Sequence, residues 1–142
     1  MKKNSNVDVA FLIDATGSMG TYIKAVKDGI NSIVSKINSR FKDAVVRVAF
    51  VAYRDYEGGA KHFEILDFTE DKKKFTNFVG GVTASGGGDA PEDVLGAIDK
   101  TINLNWTAIN RFFYHAGKNV ISKFFLILIL CFMKLFVILV LR

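Results

Sequence analysis

The chain has 142 residues and a formal charge of +5, from 19 Lys and Arg against 14 Asp and Glu, and half of it is apolar. This is enough for one domain with a real core, and the apolar share excludes a chain that is disordered throughout. A basic nucleic-acid-binding face is also excluded: residues 1–101 hold all 14 acids and 14 bases, so the excess (Arg111, Lys118, Lys123, Lys134, Arg142) sits in an acid-free, greasy C-terminal stretch.

Val7–Ile13 is a short apolar run of strand formers that reads as a buried parallel strand, and a turn segment, Asp14–Gly20, follows it. From Thr21 the period changes: Tyr22, Ile23, Val26, Ile30, Ile33, Val34, Ile37 and Phe41 recur every three or four residues, which predicts an amphipathic helix. Ala44–Tyr53 is a second apolar strand, Arg54–Lys61 a loop, and His62–Phe68 a third strand nearer an edge. Thr69–Val79 reads as a helix with Thr69 as N-cap and Gly80-Gly81 at its end. A glycine loop, Ser85–Asp89, leads through Pro91 into a third helix whose apolar face is Val94, Leu95, Ile98 and Ile102. Strands alternating with helices predict an α/β fold, a Rossmann-like, doubly wound, mainly parallel sheet, with strands two and three free to form one antiparallel edge pair.

The tail admits three readings. Phe124–Leu141 is 18 residues long with only Lys134 charged, and as a helix it would measure about 27 Å, near the thickness of bilayer hydrocarbon. Phe124–Leu130 alone would serve as a fourth buried strand. The Phe, Ile, Leu, Lys and Asn that dominate residues 107–142 are also what translated AT-rich non-coding sequence contains. Residues 1–106 are accordingly read as a partial domain and 107–142 as a divergent hydrophobic segment. One cysteine, Cys131, permits no internal disulfide, and two histidines, His62 and His115, are too few for a zinc cluster. No apolar stretch long enough for a signal peptide precedes Asp14, so a cytoplasmic location is expected, with membrane attachment through the tail as the variant.

The chemistry concentrates in two loops. Asp14, Thr16 and Ser18 alternate directly after a buried strand, so that three hard oxygen donors project to one side. Hard oxygens suit Mg²⁺ or Ca²⁺, and ligand sites in open α/β sheets lie beyond the carboxyl ends of the strands. The bland alternative is that these residues only turn the chain and cap the next helix. The second loop, Ser85-Gly86-Gly87-Gly88-Asp89, lets backbone approach a ligand closely and sets Asp89 before a helix. It lacks the Lys-Ser/Thr of a phosphate-binding loop. Asp55, after the second strand, either approaches the rim of the site or joins Arg54 in a surface ion pair of little energetic weight. Asn105-Trp106-Thr107 matches a glycosylation acceptor without a secretion signal to support it, and Trp106 is expected at the core or its rim.

Four blocks in order, Phe11–Met19, Val51–Gly59, Phe63–Asp71 and Ser85–Val94, resemble the von Willebrand factor A-type domain, and within it the domains found beside atypical α-kinases. The resemblance spans about Val7–Trp106. It implies a metal-ion-dependent adhesion site in which Asp14, Thr16, Ser18 and Asp89 hold Mg²⁺ (or Ca²⁺ or Mn²⁺), with Ser85, Thr83 and Asp55 as further candidates. It also implies a partner protein that offers an Asp or Glu carboxylate. The family pattern continues into a fourth strand that ends in an aspartate, yet no acid follows Asp99, and a strand at Phe124–Leu130 would put Leu130-Cys131 in that place. No α-kinase domain is present, so kinase activity is not implied. Two other readings remain: a truncated or mispredicted fragment without activity of its own, and a phosphoaspartate-type phosphatase, for which Thr16 stands where the second carboxylate belongs.

Overall fold

The computed structural model describes residues 6–56, 61–87 and 93–117, and the backbone of Phe136–Leu139. The strands are β1 (Val7–Asp14), β2 (Val46–Tyr53), β3 (Phe63–Thr69), β4 (Asn110–Ala116) and β5 (Phe136–Leu139); the helices are α1 (Ile23–Arg40), α2 (Lys72–Gly81) and α3 (Val94–Ile102). They build one sheet in the order β3-β2-β1-β4-β5, in which β3 is antiparallel to β2 and every other pairing is parallel. This is the doubly wound α/β architecture that the alternation of elements predicts, with its expected antiparallel edge.

Every residue of β1 is buried, as a central parallel strand covered on both faces requires. Val7, Val9, Phe11 and Ile13 face one core with α1 and with Phe75 and Val79 of α2. Ala10 and Leu12 face the other with Val94, Ala97 and Ile98 of α3. Phe11 stacks on Tyr114 at a centroid distance of 5.3 Å, which ties β4 to the first core.

Several boundaries differ from the sequence reading for local reasons. Asp71, not Thr69, caps α2: its carboxylate accepts from Lys74 N at 3.0 Å, while Thr69 Oγ1 accepts from Asp71 N at 3.1 Å. In α3 the buried face is Val94, Ala97, Ile98 and Thr101, and Leu95 is 61% exposed. The sheet continues past residue 106, and its fourth strand is Asn110–Ala116. The polar Asn110, Arg111 and His115 interrupt the apolar run there, which hides it beside the greasier Phe124–Leu130. The span 124–130 lies outside the described residues. Within the 124–141 stretch that would make a membrane helix, Phe136–Leu139 is instead a strand paired with β4. Among the described residues no helix is long and apolar enough to cross a membrane.

The start of β1 carries a buried ion pair. Asp8 is fully buried and takes two bonds from Arg47, Nε to Oδ1 and Nη2 to Oδ2, both at 2.8 Å. Its Oδ2 also accepts from Thr107 N at 2.8 Å and Ala108 N at 2.9 Å. Burial alone would raise the Asp8 carboxyl, but these bonds more than offset it and hold the group below the usual carboxylate value. Arg47 lies over the Phe68 ring, 4.9 Å from its centroid, and Trp106 meets the same ring edge-on at 4.6 Å. Trp106 is therefore a rim aromatic, as expected, and the segment leading into β4 is fastened to β1 and β2 by a polar cluster.

Candidate functional site

Beyond the carboxyl end of β1 the chain makes a single turn of 3-10 helix, Gly17–Met19, before α1. Asp14 and Thr16 are buried at the floor of this turn, and Ser18 is exposed at its mouth. Thr16 donates to Asp14 Oδ1 twice, from its backbone N at 2.9 Å and from Oγ1 at 2.6 Å, and Thr16 Oγ1 lies 3.2 Å from Ser18 Oγ. The three oxygen-bearing side chains predicted to converge do converge. Neither Thr16, which precedes the 3-10 turn, nor Tyr22, which precedes α1, caps its helix with its side chain. Asp14 Oδ1 thus turns the chain, by accepting from the backbone two residues on, as the bland alternative has it, while the capping half of that alternative is not seen at Thr16 or Tyr22.

The other carboxylate oxygen of Asp14, Oδ2, is buried and accepts no hydrogen bond among the described residues. A buried carboxylate oxygen without a donor costs free energy unless a cation or a proton meets it. One carboxylate with two hydroxyls is a hard donor set, which Mg²⁺ takes readily because it keeps several waters and needs few carboxylates. The residues present therefore fit a divalent cation. Among the described residues there is no group of three or more His, Cys, Asp or Glu side chains that would make a denser metal cage.

The glycine loop closes over this turn. Gly17 N donates to Gly86 O at 2.8 Å, and Ser85 N donates to Ala15 O at 3.0 Å. Gly86 and Gly87 have φ of +73° and +88°, the left-handed region that favours glycine. A Cβ on Gly17 would stand 2.6 Å from the Gly86 carbonyl oxygen, a backbone atom with little room to yield. Gly17→Ala is therefore expected to push the two loops apart and to cost roughly 1–3 kcal/mol, the usual range for overpacking. Urea unfolding of the variant beside wild type measures this; an unchanged midpoint would contradict the close docking.

Arg54 and Asp55 are not the surface pair that their sequence suggests, because both are buried, at 1% and 2% exposure. Asp55 Oδ2 accepts from Gly87 N at 3.0 Å, so Asp55 reaches the site through the loop. Ser85 Oγ accepts from Arg54 Nε at 3.1 Å, and the Thr83 carbonyl accepts from Arg54 Nη2 at 2.6 Å, while the Thr83 side chain is exposed. Asp89 lies outside the described residues.

The far wall is the end of β4. Where a carboxylate was sought after the fourth strand, the chain reads Tyr114-His115-Ala116-Gly117. A Cβ on Gly117 would stand 2.8 Å from Tyr53 Oη, 3.1 Å from His115 Nε2 and 3.2 Å from Asp14 Cβ, so this residue passes directly beside the site. Tyr53 Oη and His115 Nε2 share a hydrogen bond of 2.9 Å. Burial pushes the imidazole down to about 4, against the opposing pull of the Asp14 charge, and the ring is neutral at pH 7. The sequence reading missed His115 here because the fourth strand was sought further along the chain.

Residues 8–114 match the family model described as the von Willebrand factor A domain. Over 100 residues the chain is 30% identical to the α-protein kinase vwkA of Dictyostelium discoideum, an alignment that covers 70% of this chain and 16% of that protein. The chain thus spans about a sixth of that relative's length. Among solved structures, the SpRpn10 VWA domain superposes with a TM-score of 0.68 at 16% identity, over 96% of this chain and 75% of that one. The pilus adhesin SpaC of Lactobacillus rhamnosus GG superposes with a TM-score of 0.64 at 14% identity, over 84% of this chain and 15% of that one. At these identities the structural likeness speaks for the fold alone.

Proposed function

This chain belongs to the von Willebrand factor A domain family, a fold often used for protein–protein interaction, and from that premise we propose that it is a cation-dependent protein-binding module. In this reading Asp14, Thr16 and Ser18 hold Mg²⁺, or Ca²⁺ or Mn²⁺ in its place, Asp89 adds a ligand from the glycine loop, and the partner contributes an Asp or Glu carboxylate. A bound cation supplies concentrated positive charge and an open coordination position for that carboxylate.

The observation that carries the reading is the buried Oδ2 of Asp14, which has no hydrogen-bond partner among the described residues. Thr16 fixes the carboxylate through Oδ1 and leaves Oδ2 as the remaining acceptor, while Ser18 puts a hydroxyl at the solvent edge. The test is calorimetric titration of the full chain with MgCl₂, and then with a short Glu-containing peptide in Mg²⁺ or in EDTA. Saturable Mg²⁺ binding, with peptide binding lost in EDTA, is expected. Absence of saturable divalent binding would end the reading. Turnover of p-nitrophenyl phosphate that is lost in Asp14→Asn would replace it with the phosphatase one, for which Thr16 supplies no second carboxylate.

A further inference from the structure

Arg54 is the largest fully buried side chain among the described residues. Burying a guanidinium is costly, so its bonds should account for its place. Its fork spans three acceptors on two loops: Ser85 Oγ from Nε at 3.1 Å, the Lys61 carbonyl from Nη1 at 2.7 Å and the Thr83 carbonyl from Nη2 at 2.6 Å. Glu64 Oε2 lies 2.7 Å from Nη1 as an ion contact without hydrogen-bond alignment. The next residue, Asp55, takes Gly87 N. One dipeptide therefore grips residues 83–87 at both ends, cation on one limb and anion on the other. Between those grips, Ser85 N and Gly86 O make the two main-chain bonds that dock the loop on Ala15 and Gly17.

The main chain of Arg54 does separate work. Arg54 N donates to His62 O at 3.0 Å, and Arg54 O accepts from Asp93 N at 3.2 Å. These bonds hold the end of β2 whatever side chain stands at 54. A substitution there acts first on the loop and only secondarily on the strand.

We propose that Arg54 is the positioning residue of the candidate cation site: its guanidinium fork, with Asp55, sets the glycine loop on the Asp14–Ser18 turn and so sets cation affinity. The inference rests on the cation-binding reading for its second half, but the loop docking stands without it. A lysine retains the charge but has no planar fork to bond three acceptors at once, so Arg54→Lys separates geometry from charge.

The test uses the full chain as wild type, Arg54→Lys and Arg54→Ala. Amide exchange in EDTA reads the loop. The amides of Ser85 and Gly87 are expected to exchange at least about tenfold faster in both variants, while those of Val9 and Phe11 in β1 keep wild-type protection. Mn²⁺ uptake, followed through the spectrum of the free ion, reads the site. Affinity is expected to fall by roughly 10–100-fold in both variants, the usual loss when a partner that orients metal ligands is removed. Millimolar guanidinium is expected to restore part of the loss in Arg54→Ala and to leave wild type unchanged.

Wild-type exchange at Ser85 and Gly87 in Arg54→Lys would overturn the proposal. So would loss of protection that extends equally to β1 in both variants, because Arg54 would then serve the fold as a whole. Wild-type Mn²⁺ affinity in Arg54→Lys would also overturn it. If wild type itself takes up no Mn²⁺, the cation reading fails, and the exchange arm alone decides whether Arg54 positions the loop.

Discussion

Asp14→Asn is expected to abolish cation-dependent behaviour without weakening the cation-free fold. In EDTA the variant should unfold at the wild-type temperature or above it. The asparagine carbonyl still accepts from Thr16, whose N and Oγ1 bond Asp14 Oδ1 at 2.9 and 2.6 Å, and the neutral Nδ2 that replaces Oδ2, an atom with no partner among the described residues, is no dearer to bury than a carboxylate oxygen. With Mg²⁺ at a hundredfold excess over its dissociation constant, wild type should gain about 2.7 kcal/mol, because the ion binds the folded state alone, and the variant should gain nothing. Asp14→Ala should lose the cation response equally, with an added cost in EDTA of roughly 1 kcal/mol for each bond from Thr16. Thermal unfolding with and without Mg²⁺ reads all of this. A variant that keeps the Mg²⁺ response would remove Asp14 from the site. One that collapses in EDTA would make it a structural residue.

Asp8→Ala should be the more damaging change to the fold. It takes both carboxylate bonds from Arg47, which is 19% exposed and keeps its Nη2 bond to the Asn105 carbonyl, and leaves the amides of Thr107 and Ala108 without their acceptor. Breaking a fully buried ion pair from one side costs about 3–5 kcal/mol, and the partial exposure of Arg47 puts this pair at or below the lower end, still a sizeable share of the roughly 5–15 kcal/mol that holds an ordinary domain folded. The segment released leads into β4, so the loss should spread to the Phe11–Tyr114 stack and to the Gly117 wall of the site. The same pair sets an acid limit. The Asp8 carboxyl sits below its ordinary 3.8 when folded. Its contribution is therefore present above pH 3.8 and is lost as the pH falls through the lower folded value. Urea unfolding of wild type should weaken across that window, and Asp8→Asn, which has no such proton to take up, should show a flatter profile. An Asp8→Ala unfolding free energy within about 0.5 kcal/mol of wild type would contradict the role given to the pair.

The elements with a clean period were legible in the sequence. Val7–Ile13 read as a buried parallel strand and Ala44–Tyr53 as a second apolar strand because nearly every side chain is apolar, the second beginning at Val46 in the structure. The α1 stripe from Tyr22 to Phe41 read as a helix because its period is unmistakable. The meeting of Asp14, Thr16 and Ser18 was legible too, but not its cause: Ser18 reaches Thr16 from a 3-10 turn, Gly17–Met19, and not by alternation along extended chain. The remainder depends on contacts between residues far apart in sequence. Nothing local distinguishes a buried Arg54-Asp55 clasp from an exposed ion pair, because the acceptors that justify the burial come from residues 61, 83 and 85. Asp8 in a strand looks like an ordinary polar interruption until Arg47 and the 107–108 amides are placed around it. His115 was missed together with its strand, because a half-buried strand with polar residues is a weaker signal than the apolar run after it.

The proposed divalent cation would sit at the end of β1, held by Asp14, Thr16 and Ser18 under the glycine loop. The most direct measurement is paramagnetic broadening of the amide resonances of the full chain by substoichiometric Mn²⁺, mapped residue by residue. Broadening is expected to centre on residues 14–18 and 85–87 and to reach His115 and Gly117, to be reversed by Mg²⁺ and to be absent in Asp14→Ala. Broadening centred on another acidic patch such as Asp67, Glu70 and Asp71, or none at stoichiometric Mn²⁺, would contradict that placement.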